Sequence, residues 1–442
     1  MSIGRVVKRS ISELVHVLEG KIAQKREVIQ ELKDKHGDRK IEEIKVDQIL
    51  KGMRGVTAQI SSTSRLDPEK GIRFHGLSIE DCQRLLPKSG TQPMVESMIW
   101  LLFTGEIPNK DQVELLRKDL ISRSFLPIHT IEMLKKLPKD LHPMTQLSMG
   151  VLSLGHTSQF EKFYSSGMKK TEYWRAMLED GLDLISKIPR VAATIYRNTY
   201  RNGQVQDVRP EADYAENFAR GLGWDDPEFF DCMRLYLNIH TDHEAGNVSA
   251  HTTHLVGSTL RDVFKSYSAG LNALAGPLHG LANQESLRWL MDLWRAVGNH
   301  PQESEIESFA RGWLNAGKAI PGYGHAVLRI PDPRFVAQLE FAQKHLKDDS
   351  LCRIVALCYK VLPGVLREHG KAKNPFPNVD AHSGALMYAY GMRVYDYYTV
   401  LFGVARAIGC SANLTWDRAL MLPLERPESI TLSQLNSIAG LK

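Results

Sequence analysis

The 442-residue chain has no apolar run of eighteen residues, which excludes an ordinary membrane-spanning helix. Cysteine is scarce: Cys82, Cys232, Cys352, Cys358 and Cys410 are scattered, odd in number and form no CxxC pair. That pattern excludes a zinc ribbon and argues against a disulfide framework, so a reducing, intracellular compartment fits best. No GxGxxG follows a strand pattern, there is no GxxxxGK[ST], and no internal repeat is visible. A nucleotide loop, a parallel α/β sheet and a solenoid are therefore not expected. Dense basic tracts are also missing. Fifty-six Lys and Arg against 51 Asp and Glu leave a net charge of only +5, too mild and dispersed for a nucleic-acid binder. Such a balance suits small anionic ligands if several Arg converge on one pocket.

The chain is 43% hydrophobic and 24% charged, an ordinary globular profile. The length predicts two domains, or one large domain with an insertion. The first ten residues, MSIGRVVKRS, are basic and acid-free, which reads as the remnant of a transit peptide. Ser10 to Glu13 reads as a capping box opening a helix, and apolar residues follow in a stripe from Ile11 to Leu32. Alternation at Ile44, Val46 and Gln48 suggests short strands. Asp67-Pro68-Glu69-Lys70-Gly71 is a turn signal, with GIRFHGLSI returning as a hairpin. From about residue 78 the pattern is helical, with joints at Leu86-Pro87, Ile107-Pro108, Leu126-Pro127, Leu141-His142-Pro143 and Ile188-Pro189. The expected fold is all-α: a large helical domain with a smaller helical domain inserted and a few short N-terminal strands. The boundaries are drawn at 1–279 with 386–442, and 280–385.

Six stretches carry candidate chemistry. LAGPLHGLANQE (274–285) places His279 on a Gly-bounded bend in an apolar run, either a hydrogen-bonded core histidine or a catalytic group. PGYGHAVLRIPDPRF (321–335) brings His325, Arg329 and Arg334 behind two glycines; the arginines fit carboxylate or phosphate, or are simply solvated. NPFPNVDAHSG (374–384) offers Asp380, a base or the cap of a helix starting near Ser383. HTDHEAGNVSAHTTHL (240–255) holds His240, His243, His251 and His254 at i, i+3 spacings. Polar packing or substrate hydrogen bonding fits these better than a metal site, since HExxH and a nearby Cys are both missing. FGVARAIG (402–409) puts Arg406 on an apolar helix, where a charge demands an anion, and PLERPES (423–429) puts Arg426 between prolines.

These stretches, together with GMRG (52–55), GIRFHG (71–76), HPMTQLS (142–148) and YYTVLFGVARAIG (397–409), resemble the eukaryotic-type citrate synthase family in kind and in order, from about residue 10 to about 430. The resemblance implies the citrate synthase fold and the condensation of acetyl-CoA with oxaloacetate to citrate and CoA. It implies Asp380 as the base, His279 as donor to the thioester oxygen and His325 as donor to the oxaloacetate ketone. His243, Arg334, Arg406 and Arg426 would hold oxaloacetate, with Arg426 reaching the neighbouring subunit of a homodimer. Arg54, Lys170, Ala319, Ile320, Arg329 and Lys373 would hold CoA. His240 and His251 match no catalytic role. Lys170, His75 and Phe376 stand where relatives more usually carry Arg, Arg and Trp. No metal or redox cofactor is implied, and the family points to the mitochondrial matrix. Three competing readings are a 2-methylcitrate synthase using propionyl-CoA, a metal-dependent hydrolase on the 240–254 histidines, and a non-catalytic CoA- or metabolite-binding protein.

Overall fold

The computed structural model describes residues 3–201 and 204–440, the side chains of 3–11 excepted. Among these residues the chain is a stack of α-helices carrying two small antiparallel hairpins and no parallel sheet. The all-α expectation holds. So does the first hairpin: Ser64–Asp67 pairs with Gly71–Phe74, and the Asp67 carboxylate accepts from the Glu69 and Lys70 amides to form the turn. A second hairpin, Lys88–Ser89 with Gln92–Pro93, is too short to leave a period in the sequence.

Three local readings are corrected. The first helix spans Ile3–His36 rather than opening at Ser10, whose side chain lies outside the described residues. Val46–Leu50 is a helical turn, not a strand. No partner strand is available there, and the Gln48 carboxamide oxygen accepts from the Lys45 amide to close the first turn. Pro189 lies inside the long Tyr173–Tyr200 helix instead of ending it. A proline orphans the carbonyl four residues back. Here that carbonyl, on Ile185, accepts from the Tyr214 hydroxyl at 3.0 Å, and the helix continues.

The Tyr173–Tyr200 and Tyr398–Ala419 helices pack lengthwise at the centre, both almost wholly buried. Val248–Ser258 and Val263–Leu274 pack on each other beside them. The helices from Ala282 to Ala389 pack chiefly among themselves. Gly409 lets the central helix meet the loop after Pro227–His240. A Cβ there would fall 2.5 Å from the Thr241 carbonyl oxygen and 2.5 Å from Asp242, while the Gly409 amide donates to that same carbonyl. The five cysteines are free and buried, and no described helix is long and apolar enough to cross a membrane.

Candidate active site

Two loops zip together to hold His325 and Asp380. The Gly324 amide donates to the Phe376 carbonyl, the Asn378 amide to that of Gly322, and the Asp332 amide to that of Pro377. Asn378 adds a side-chain bond to the Gly324 carbonyl and Asn374 one to that of Leu328. Gly322 is required at this seam: its φ is +78°, and a Cβ would lie 2.9 Å from the Ala381 Cα. The same loop reaches the first hairpin, where the Arg329 amide donates to the Pro68 carbonyl at 2.8 Å.

The loop defines the protonation of His325. Its Nδ1 accepts from the Val327 and Leu328 amides at 3.0 and 3.1 Å. An acceptor Nδ1 in a neutral ring leaves the proton on Nε2. Burial, then the Arg334 charge, hold its pKa down at about 4, so the ring is neutral at physiological pH. The His243 ring stands with its centroid 6.0 Å from that of His325. Burial, with Arg334, Arg406 and His325 around it, holds His243 well below the ordinary histidine range.

His279 is held in the opposite tautomer. The Ser249 amide, which can only donate, points at its Nε2 at 3.3 Å, and the Ser249 hydroxyl lies 2.9 Å from the same nitrogen. A neutral ring therefore carries its proton on Nδ1. Burial, then Arg406, lower its pKa to about 4. Ser249 and Asn247 sit at the start of the Val248–Ser258 helix, with Asn247 as its N-cap. Neither was singled out from the sequence, although both lie inside HTDHEAGNVSAH, between the histidines that drew attention.

Asp380 is the first residue of the Asp380–Ala389 helix and not the cap of one starting near Ser383. Asn378 does the local capping by accepting from the Asp380 amide, so the Asp380 carboxylate accepts no hydrogen bond among the described residues. Burial pushes its pKa up to about 6, against the opposing pull of Arg334. Arg334 is itself gripped by Asp332, through Nε at 3.0 Å and Nη2 at 2.6 Å, which leaves Nη1 outside the pair. Arg406 is buried without a carboxylate partner among the described residues. It meets the His240 carbonyl and the Asn247 side-chain oxygen at 3.3 Å each, and its guanidinium lies over the Phe402 ring.

The side chains of Arg54, Lys170, Lys373 and Arg426 are exposed and make no hydrogen bond or ion pair among the described residues. Ala319 is exposed and Ile320 buried; the Ala319 carbonyl accepts from the Trp313 indole. Arg329 turns back onto its own loop. His75 is turned onto the Leu102 carbonyl, and the Phe376 ring faces the Arg367 guanidinium. The other histidines of the 240–255 stretch lie on helices and are already engaged: His240 with the Tyr236 carbonyl, His251 with Glu425 and His254 with Asp417. Among the described residues no group of three or more His, Cys, Asp and Glu side chains is arranged to hold a metal ion.

Residues 52–428 match the family model "Citrate synthase, C-terminal domain". The chain is 51% identical over 427 residues to a protein named probable citrate synthase, mitochondrial, of Glossina morsitans morsitans, covering 96% of this chain and 92% of that one. It is 48% identical over 441 residues to the mitochondrial citrate synthase of Xiphias gladius, covering 99% and 94%. A crystal structure of citrate synthase from Pyrobaculum aerophilum superposes with a TM-score of 0.74 at 26% identity, over 87% of this chain and 95% of that one. Fold and sequence thus converge: this chain belongs to the citrate synthase family.

Proposed function

We propose that this chain condenses acetyl-CoA with oxaloacetate and hydrolyses the product thioester to citrate and CoA, with Asp380, His279 and His325 as its catalytic groups. The observation that carries the reading is a raised carboxyl, Asp380, and a neutral imidazole, His325, on two hydrogen-bonded loops, with a second neutral imidazole, His279, held in the opposite tautomer. The acetyl methyl is a weak carbon acid, so its proton leaves only if the thioester oxygen is stabilised as charge develops. Asp380 takes the proton. His279, through Nδ1–H, donates to the thioester oxygen without the acidity that would protonate it outright. The methylene carbon then attacks the oxaloacetate ketone. His325, through Nε2–H, polarises that ketone and passes its proton to the new alkoxide. Water completes hydrolysis of the citryl thioester. None of these steps needs a metal or redox cofactor.

Oxaloacetate brings two carboxylates. Arg406 and the free Nη1 of Arg334 receive them, and His243 adds a donor. Arg426 completes the clamp from the neighbouring subunit of a homodimer, in keeping with its exposed position and lack of partners among the described residues. Arg54, Lys170, Arg329 and Lys373 meet CoA phosphates, and the backbone at Ala319 and Ile320 meets the adenine. The large unit comprises 1–279 with 386–442 and the inserted unit 280–385. His279 and Asp380 fall at or near the joints, and the His325 loop meets the large unit at the Pro68 carbonyl, where closure excludes water. The mitochondrial matrix is the site of action, in line with the names of the relatives.

Thiol release from acetyl-CoA, with and without oxaloacetate, tests this. Wild-type release depends on oxaloacetate, and Asp380→Ala lowers kcat by about three orders of magnitude or more while the fold persists. Oxaloacetate-dependent release that survives the substitution would remove Asp380 from the mechanism.

A further inference from the structure

Arg329 reads by resemblance as a CoA-phosphate contact, yet its guanidinium is engaged elsewhere. Nη1 donates to the Val327 and Leu328 carbonyls at 2.8 Å each, and both Nη1 and Nη2 reach the Ala326 carbonyl at 3.4 Å. Two of those carbonyls belong to the peptide units that hold His325. The Ala326 carbonyl and the Val327 amide share one peptide, and the Val327 carbonyl and the Leu328 amide share the next. Both amides donate to His325 Nδ1. A cation thus sits at the oxygen end of two peptide dipoles whose hydrogen ends meet in the ring of His325.

We propose that Arg329 is a positioning residue for His325, acting through the 326–327 and 327–328 peptides, in addition to any contact it makes with CoA. Hydrogen bonds in series polarise one another, so a charged donor at the carbonyl strengthens the amide as a donor at the other end. The two amides then hold Nδ1 as an acceptor and commit the proton to Nε2, the atom that faces the ketone. Arg329 suits this task better than Lys, because a planar fork spans adjacent carbonyls and a point charge does not. The Asn374 carboxamide secures only the Leu328 carbonyl, which belongs to neither peptide. The Arg329 amide fixes the end of the loop to the hairpin and leaves the guanidinium free for this role. The inference rests on the assignment of His325 proposed above.

The test removes CoA phosphates from the problem. Oxaloacetate carrying carbon-13 at its ketone is bound to wild type, Arg329→Gln, Arg329→Lys and His325→Asn with no thioester present. The ketone resonance reports its polarisation. Turnover is measured with acetyl-CoA and with S-acetyl-N-acetylcysteamine, a thioester without phosphates. In wild type the bound resonance lies downfield of free oxaloacetate. Arg329→Gln moves it back toward the free value and lowers kcat on the order of ten-fold with either thioester, and Arg329→Lys recovers part of both effects. A resonance unmoved in Arg329→Gln, with only the KM for acetyl-CoA raised, overturns the inference and leaves Arg329 a phosphate contact. A resonance unmoved in His325→Asn as well removes the assignment of His325 itself. The carbon-13 readout decides even where turnover of the short thioester is slow.

Discussion

Arg234 and Arg406 are both almost fully buried arginines on long helices, with 4% and 1% exposure, and the fold treats them oppositely. Arg234 is closed on two sides, by Asp213 and Asp231 at 2.7 Å each. Against the opposing pull of burial, those carboxylates hold its pKa above the ordinary value. Arg406 hydrogen-bonds only neutral groups among the described residues, and burial lowers its pKa. A buried ion is costly until a counter-ion or good hydrogen bonds compensate it. The first arginine is compensated within the chain and holds helices together. The second is left short, which suits a group whose partner is the carboxylate of a substrate. The acids repeat the contrast. Burial raises Asp332, but Arg334 wins and holds it below the ordinary range, whereas Asp380 stays raised. Arg234 and Asp332 find charged partners inside the fold, and among the described residues Arg406 and Asp380 do not.

Breaking the structural member of the first pair has the largest effect on stability. Arg234→Leu strands Asp213 and Asp231 in the interior and is expected to cost about 3–5 kcal/mol, measured by denaturant or thermal unfolding. The second pair separates by pH. Because the folded pKa of Asp380 is raised to about 6, the folded state holds its proton more tightly than the unfolded state does. Its ionisation therefore weakens the fold as pH rises from the unfolded carboxyl value through about 6. Asp380→Asn is expected to stabilise the protein by about 1–3 kcal/mol at pH 8, with the difference gone below about pH 4. With Asp380 as the proposed base, turnover needs its ionised carboxylate, so kcat/KM is expected to fall as pH drops through about 6. His279 and His325, held near 4, stay neutral across that limb. An acid limb unchanged by relocating the carboxyl, as in Asp380→Glu, would point to another group.

Much of this contrast was legible in the residues. The DPEKG turn folds as its Asp and Gly dictate, and the helical periods after residue 78 became helices. Arg406 announced itself as a charge on an apolar stripe, and the ordered motifs pointed to the family and to the proposed catalytic groups. Local signals failed where a distant residue intervened. Pro189 looked like a helix end because nothing in its neighbourhood shows that Tyr214 would take the freed Ile185 carbonyl. Asp380 looked like a cap because Asn378, two residues earlier, takes that work only once the 321–329 loop is in place. Ser249 and Arg329 act on histidine tautomers through backbone geometry, which has no signature in a single sequence.

The claim that Arg406 is left short for a substrate carboxylate is tested most directly by melting wild type and Arg406→Leu with and without oxaloacetate. The leucine variant, free of an uncompensated buried cation, is expected to melt at or above wild type without ligand. Oxaloacetate is expected to raise the midpoint of wild type but not of the variant. A variant that melts several degrees lower and is still stabilised by oxaloacetate would contradict it, and would make Arg406 a structural residue like Arg234.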